Sequence, residues 1–222
     1  MPPKRIVIIA NGDLEDLGFY REFLEDDDLI LCANGGTKHA LALGLKPEVI
    51  IGDLDSLQHE DRQKLKEADS KFIEHSSEKE KSDLELAMDY AVGIQPREII
   101  IIGALGGKRA DHAFINLLLL YVPFQAGIPA RIIDENQEIF LAEKETIING
   151  AVGDYVSLFP QTANVCGVVT VGLKYPLNGE TLYFASTRGL SNEMIAPQAR
   201  ISFKSGLLLV IKSSFSLRPG SC

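Results

Sequence analysis

No apolar run in this chain is long enough to cross a bilayer. Met1 to Ala10 carries two basic residues, but its apolar run is too short for a secretory signal and leads straight into Asn11-Gly12-Asp13. Cysteine is scarce. Cys32, Cys166 and Cys222 are scattered, odd in number and without metal-ligand spacing, which points away from a disulfide framework or a zinc site and toward a reducing cytoplasm. Positive charge is also short: 22 Lys and Arg stand against 31 Asp and Glu, a formal net charge of −9. With no basic stripe to offset that balance, nucleic acid and anionic membrane are poor partners. Internal repeats and low-complexity tracts are missing too. What is present is an ordinary globular mix, 45% hydrophobic and 24% charged, in 222 residues. That length buries a sizeable core and has room for two small domains. An acidic protein that handled phosphates would need a cation to mediate.

One stretch organises the chain, Ile50-Ile51-Gly52-Asp53-Leu54-Asp55-Ser56. Val49-Ile50-Ile51 reads as a buried strand, and Gly52 permits a tight turn. On an extended backbone, residues two apart share a side. Asp53 and Asp55 are therefore expected to converge at the strand's C-terminal end, where open α/β sheets bind their ligands. Two close carboxylates repel unless a cation lies between them, and Mg²⁺ suits such oxygen ligands. The competing reading is a loop whose aspartates only make turns.

Around it, strands and helices alternate. Arg5 to Ala10 reads as a first strand, closed by the turn Asn11-Gly12, and Leu14 to Leu24 as a helix. Leu29 to Ala33 is a second strand, running into Asn34-Gly35-Gly36-Thr37 and a helix from Lys38 to Leu43. A strand, paired glycines and a helix N-terminus make either a phosphate or ribose cradle or only a tight turn. Gln58 to Ala68 reads as a charged, exposed helix and Lys71 to Ile73 as a short strand. Ser82 with Glu85 forms a capping box, and Leu84, Ala87, Met88 and Ala91 give the following helix its apolar face. Asp83 either favours the helix dipole or is a third acidic group facing a metal. Glu98 to Ile102 is the most strongly β segment. It opens into Gly103-Ala104-Leu105-Gly106-Gly107-Lys108-Arg109 and a helix from Asp111 to Phe124. Flexible backbone, two cations and a helix N-terminus suit a polyphosphate. His112 and Asn116 lie one helical turn apart and are expected to touch. Arg131 to Asp134 closes the α/β part. From about Gln137 only short β segments recur, so an all-β domain is expected there. Its most polar loop, Ser186 to Glu193, either reads a small polar ligand or is an ordinary solvated hairpin.

Asn34-Gly35-Gly36, Pro47, Gly52-Asp53-Leu54-Asp55-Ser56, Ser82-Asp83, Arg109-x-Asp111-His112 with Asn116, and Ser191-Asn192-Glu193 together resemble the thiamine pyrophosphokinase family, in its order and over nearly the whole chain. Gly172 to Leu177 resembles the bacterial form of its β domain. The resemblance implies a Rossmann-like parallel-sheet catalytic domain over 1–136 and a β-sandwich thiamine-binding domain over 137–222. It implies a cytoplasmic homodimer with active sites shared between chains, transferring pyrophosphate from ATP to the thiamine hydroxyl, releasing AMP and requiring Mg²⁺. By motif match, Asp53, Asp55 and Asp83 would hold Mg²⁺. Asn34, Gly35, Gly36, Lys108 and Arg109 would meet the nucleotide, with Asp111 and His112 shaping the site beside it, and Ser191 and Asn192 would contact the thiamine pyrimidine. Three departures stand out: Asn34 replaces the family's usual Asp, Glu80 replaces an Asp, and the Gly106 to Asp111 loop is one residue longer. The rival readings are pyrophosphoryl transfer to a hydroxymethylpterin, and a sensor that binds thiamine or nucleotide without turnover.

Overall fold

The structure, a computed structural model, describes residues 5–55, 57–76, 80–107 and 109–214. The chain divides into two compact units, Met1–Glu135 and Asn136–Cys222.

In the first unit six strands form one sheet: β1 (Arg5–Ile9), β2 (Leu29–Ala33), β3 (Val49–Gly52), β4 (Lys71–Glu74), β5 (Glu98–Ile102) and β6 (Ala130–Ile133). Their order is β6-β5-β1-β2-β3-β4, and every pairing is parallel. The strands read as unbroken β-branched runs because helices cover both faces of a parallel sheet, leaving no side of a strand to water. Ile6 to Ile9 and Ile99 to Ile102 are at most 1% exposed. Each such side chain contributes about 1.5–3 kcal/mol by leaving water. Among the described residues six α-helices connect the strands: α1 (Leu17–Phe23), α2 (Thr37–Leu43), α3 (His59–Glu67), α4 (Asp83–Ile94), α5 (Ala110–Leu119) and α6 (Tyr121–Gln125). α4 packs across β1, β2 and β3 through the expected face, with Leu84, Ala87, Met88 and Ala91 all buried. Two helices differ from expectation. α1 begins at Leu17 rather than Leu14, because the Asp16 carboxylate caps it by accepting from the Gly18 and Phe19 N–H groups. The single helix expected from Asp111 to Phe124 is broken after Leu119 into α5 and α6. Pro123 has no N–H for the Leu119 carbonyl, and its ring clashes there.

The second unit is all β: β7 (Gln137–Ala142), β8 (Glu145–Asn149), β9 (Tyr155–Pro160), β10 (Asn164–Val171), β11 (Asn178–Tyr183), β12 (Asn192–Glu193), β13 (Gln198–Ser202) and β14 (Leu208–Ser213). Within it β12-β9-β14-β7 and β11-β10-β13-β8 form two antiparallel layers. Alternate residues of both layers, among them Ile148, Val156, Leu158, Val168, Leu182, Ile201 and Val210, share one core. The sequence pattern missed β8, β11 and β12. Their outward positions carry Glu145, Asn149, Asn178 and Tyr183, which dilute the apolar alternation.

Candidate active site

The strand order of the first unit reverses at β1, which pairs with β2 on one side and β5 on the other. Ligands of open α/β sheets bind at such a reversal, beyond the strands' C-terminal ends. A cavity of about 530 Å³ lies there, walled by the segments after β1, β2, β3 and β5 and by the start of α4.

Glycines bring these walls together. The Gly12 N–H donates to the Gly103 carbonyl at 2.7 Å, and a Cβ at Gly12 would strike the carbonyls of Gly103 and Leu105. A Cβ at Gly36 would likewise run into the Ile9 carbonyl. Gly52, at φ 152°, ends β3 where a Cβ would lie 2.7 Å from Asn34 Cβ and 3.1 Å from Asp83 Oδ1. That missing side chain lets the Asp83 carboxylate approach the strand end.

Asp53, half-buried, and Asp83, at the start of α4, both line the cavity. Asn34 Nδ2 donates to Asp53 Oδ1 at 2.8 Å, so the amide that replaces a family carboxylate supplies a hydrogen bond where the usual Asp would add a like charge. Asp55 is exposed and outside the cavity lining. The expected same-side convergence of the two aspartates fails because the backbone between them is not extended. Leu54 adopts φ 58° with its side chain buried, and the Asp55 N–H turns back toward Asp53 Oδ1 at 3.5 Å. Glu80 is exposed and outside the lining as well. Among the described residues no three His, Cys, Asp or Glu side chains gather as a metal-ligating group.

On the opposite wall, Gly103, Gly106 and Gly107 all have positive φ, and Arg109 and His112 line the cavity beyond them. Arg109 grips Asp111 through two nitrogens, Nε donating to Oδ1 at 2.9 Å and to Oδ2 at 3.3 Å and Nη2 to Oδ2 at 2.6 Å. The hydrogen-bonded guanidinium holds the Asp111 carboxyl well below the usual carboxylate range. Asp111 itself lies outside the lining, as does Gly36, whereas Asn34 and Gly35 belong to it. Asn116 donates to the Ala104 carbonyl at 2.8 Å rather than to His112, tying α5 to the loop after β5. Lys108 and Ser56 lie outside the described residues. Sequence reasoning missed Asn11 and Gly12, which line the cavity, and took Ser82, also in the lining, for a cap alone. The signal at Asn11-Gly12 was its place directly after the central strand.

In the second unit, Ser191 is exposed at φ 54°, its N–H donating to Ser157 Oγ at 2.9 Å. Asn192 is 8% exposed and turned inward. Its Oδ1 accepts from the N–H groups of Tyr175 and Glu193, both at 3.0 Å, and its Nδ2 donates to the Tyr175 carbonyl at 2.7 Å. The side chain thereby mimics a neighbouring strand for Tyr175, so a direct contact with a ligand would have to displace those bonds.

Two families match the chain in turn. The one described as thiamin pyrophosphokinase, catalytic domain, matches residues 20–132, and thiamin pyrophosphokinase, vitamin B1 binding domain, matches 140–208. Thiamine pyrophosphokinase of Bacillus subtilis is 32% identical over 213 residues, spanning 95% of this chain and 99% of the relative. A crystal structure of the Bacillus subtilis thiamine pyrophosphokinase superposes with a TM-score of 0.85, covering 96% of this chain and 100% of the other at 32% identity. The Geobacillus thermodenitrificans thiamin pyrophosphokinase gives 0.82 at 34% identity, with 96% and 98% covered.

Proposed function

The chain belongs to the thiamin pyrophosphokinase family, and on that premise we propose how its own residues carry out pyrophosphoryl transfer to thiamine. Its activity is that of a thiamine diphosphokinase. The thiamine hydroxyl oxygen bonds to the β-phosphorus of ATP as the bond from that phosphorus to the α,β-bridging oxygen breaks. AMP departs with the bridging oxygen, and the hydroxyl proton passes to solvent. Transfers of this kind depend on positioning and charge neutralisation more than on covalent chemistry.

The observation that carries this reading is the cavity at the strand reversal, where Asp53 and Asp83 meet a glycine loop and Arg109 around one space of about 530 Å³. The donor set fits Mg²⁺, a hard cation commonly held by one or two carboxylates together with substrate phosphates. Asp53 and Asp83 would hold it, and bound there it would neutralise the charge of the polyphosphate. Asn34 keeps the Asp53 carboxylate oriented. Arg109 faces the polyphosphate: its pairing with Asp111 is solvent-exposed and therefore weak, so the guanidinium can exchange that carboxylate for a phosphate. The positive-φ glycines after β5 leave backbone N–H groups free of side-chain cover where phosphate oxygens would lie. Residues 1–136 form the catalytic domain and 137–222 the thiamine-binding domain. In the latter Ser191 meets the acceptor, and Asn192 supports the site by fixing Tyr175. The working enzyme is a cytoplasmic homodimer with sites shared between chains.

The test is the identity of the nucleotide released from protein, Mg·ATP and thiamine. AMP with thiamine diphosphate is expected. ADP with a monophosphate would mark ordinary single-phosphoryl transfer, and binding without turnover would mark a sensor; either result overturns the reading.

A further inference from the structure

Three asparagines line the cavity, and two have their amides committed: Asn34 to Asp53 and Asn116 to the Ala104 carbonyl. Asn11 is different. It follows β1 by two residues, at the strand reversal itself, with its side chain exposed in the cavity lining. No hydrogen bond joins its amide to a described residue. Gly35 is bare where the amide packs: a Cβ there would lie 2.5 Å from Asn11 Oδ1 and 2.8 Å from Nδ2. The fold thus holds this amide flat against the β2 wall with both polar atoms unspent.

An amide presents a donor and an acceptor side by side. Phosphate oxygens only accept, so at a polyphosphate Oδ1 would face anions and half the group would be wasted. Adenosine offers matching pairs on its base edge and among its ribose hydroxyls, and Asn is suited to the adenine edge in particular. The charged side chains of the lining, Asp53, Asp83 and Arg109, lie on other segments of the wall. We propose that Asn11 reads the nucleoside half of the nucleotide substrate, its amide pairing with a donor–acceptor pair of adenosine. The proposal rests on ATP being the co-substrate.

The test is calorimetric titration of AMP and of inorganic tripolyphosphate into the wild-type protein, Asn11→Ala and Asn11→Leu. The leucine keeps the side-chain shape against Gly35 while losing donor and acceptor without adding charge, and carries the test if Asn11→Ala does not fold. Both variants should weaken AMP binding about tenfold or more and leave tripolyphosphate within about twofold. KM for ATP should rise with kcat and the KM for thiamine little changed. Loss in Asn11→Ala of a wild-type preference for AMP over inosine monophosphate supports the proposal and locates the contact on the base edge. Loss of a preference over 2′-deoxy-AMP supports it and locates the contact on the ribose. Unchanged AMP affinity, equal weakening of tripolyphosphate, or both preferences surviving would overturn it. A wild-type protein that binds neither titrant would instead overturn the co-substrate reading on which it stands.

Discussion

Leu54 turns the chain between two aspartates, and its left-handed, buried conformation decides which carboxylate faces the cavity. Asp53→Asn should therefore lower kcat by roughly 10²–10³, the usual cost of losing one electrostatic stabiliser, with Asp55→Asn losing at least about tenfold less. Steady-state rates across a Mg²⁺ titration check this, and equal losses would return Asp55 to the cluster. Ser82 and Asp83 divide in a similar way. Ser82 Oγ accepts the Glu85 N–H at 3.2 Å, so Ser82→Ala should cost about 1 kcal/mol of stability. Asp83→Asn should instead cost turnover and leave the denaturation midpoint nearly unmoved. A third residue sets a pH dependence. His39 has its Nε2 buried without a partner among the described residues, and burial, helped by Lys38, lowers its pKa below the ordinary value of 6.5. The folded protein thus binds this proton less readily than the unfolded chain. Its contribution is intact above about pH 6.5 and is lost as pH falls toward the depressed folded value. Urea midpoints of His39→Phe should decline less than wild type on acidification through that window.

Among the elements, β12 is the shortest strand described, and Asn192 makes it count. Asn192→Ala would leave the Tyr175 N–H and carbonyl and the Glu193 N–H without the partner they now share. The expected loss is about 2–3 kcal/mol of stability in the second unit, at about 1 kcal/mol per hydrogen bond. Chemical denaturation measures it, and an unchanged midpoint with a raised KM for thiamine would return Asn192 to direct contact. This residue also marks where sequence stops being readable. β1, β2, β3 and β5 were legible because burial on both faces demands unbroken apolar runs, and α4 because its cap and its stripe agree. β11 and β12 were not, since strands with one wet face carry Asn, Glu and Thr that read equally well as loop. The aspartates of the cavity were legible by residue type. Their relative directions were not, because a single positive φ at a non-glycine residue leaves no mark in composition. Asn11 went unseen for a related reason: Asn-Gly after a strand is sufficiently explained as a turn.

At the scale of the whole molecule, a homodimer with shared sites predicts rescue between two inactive variants. Asp53→Asn spoils the catalytic half and Ser191→Arg blocks the acceptor half. Random pairing makes about half the dimers mixed, each with one intact site, so co-expression should restore roughly a quarter of wild-type activity. Background activity in mixed dimers confirmed by tagging would refute the shared site. The strand order carries a different consequence, one of timing. β1 sits at the centre of its sheet, yet the partner on one of its sides is β5, where Arg5 meets Glu98. A ribosome adding roughly 5–20 residues per second delivers that partner several seconds to some twenty seconds after β1 has emerged. Throughout that interval the edge formed by Ile6, Val7, Ile8 and Ile9 has no native neighbour on its β5 side, and an open apolar edge is a template for other chains. Slower translation between β4 and β5 would lengthen the exposure, so the yield of native protein should depend on codon choice in that interval more than on codon choice after β6.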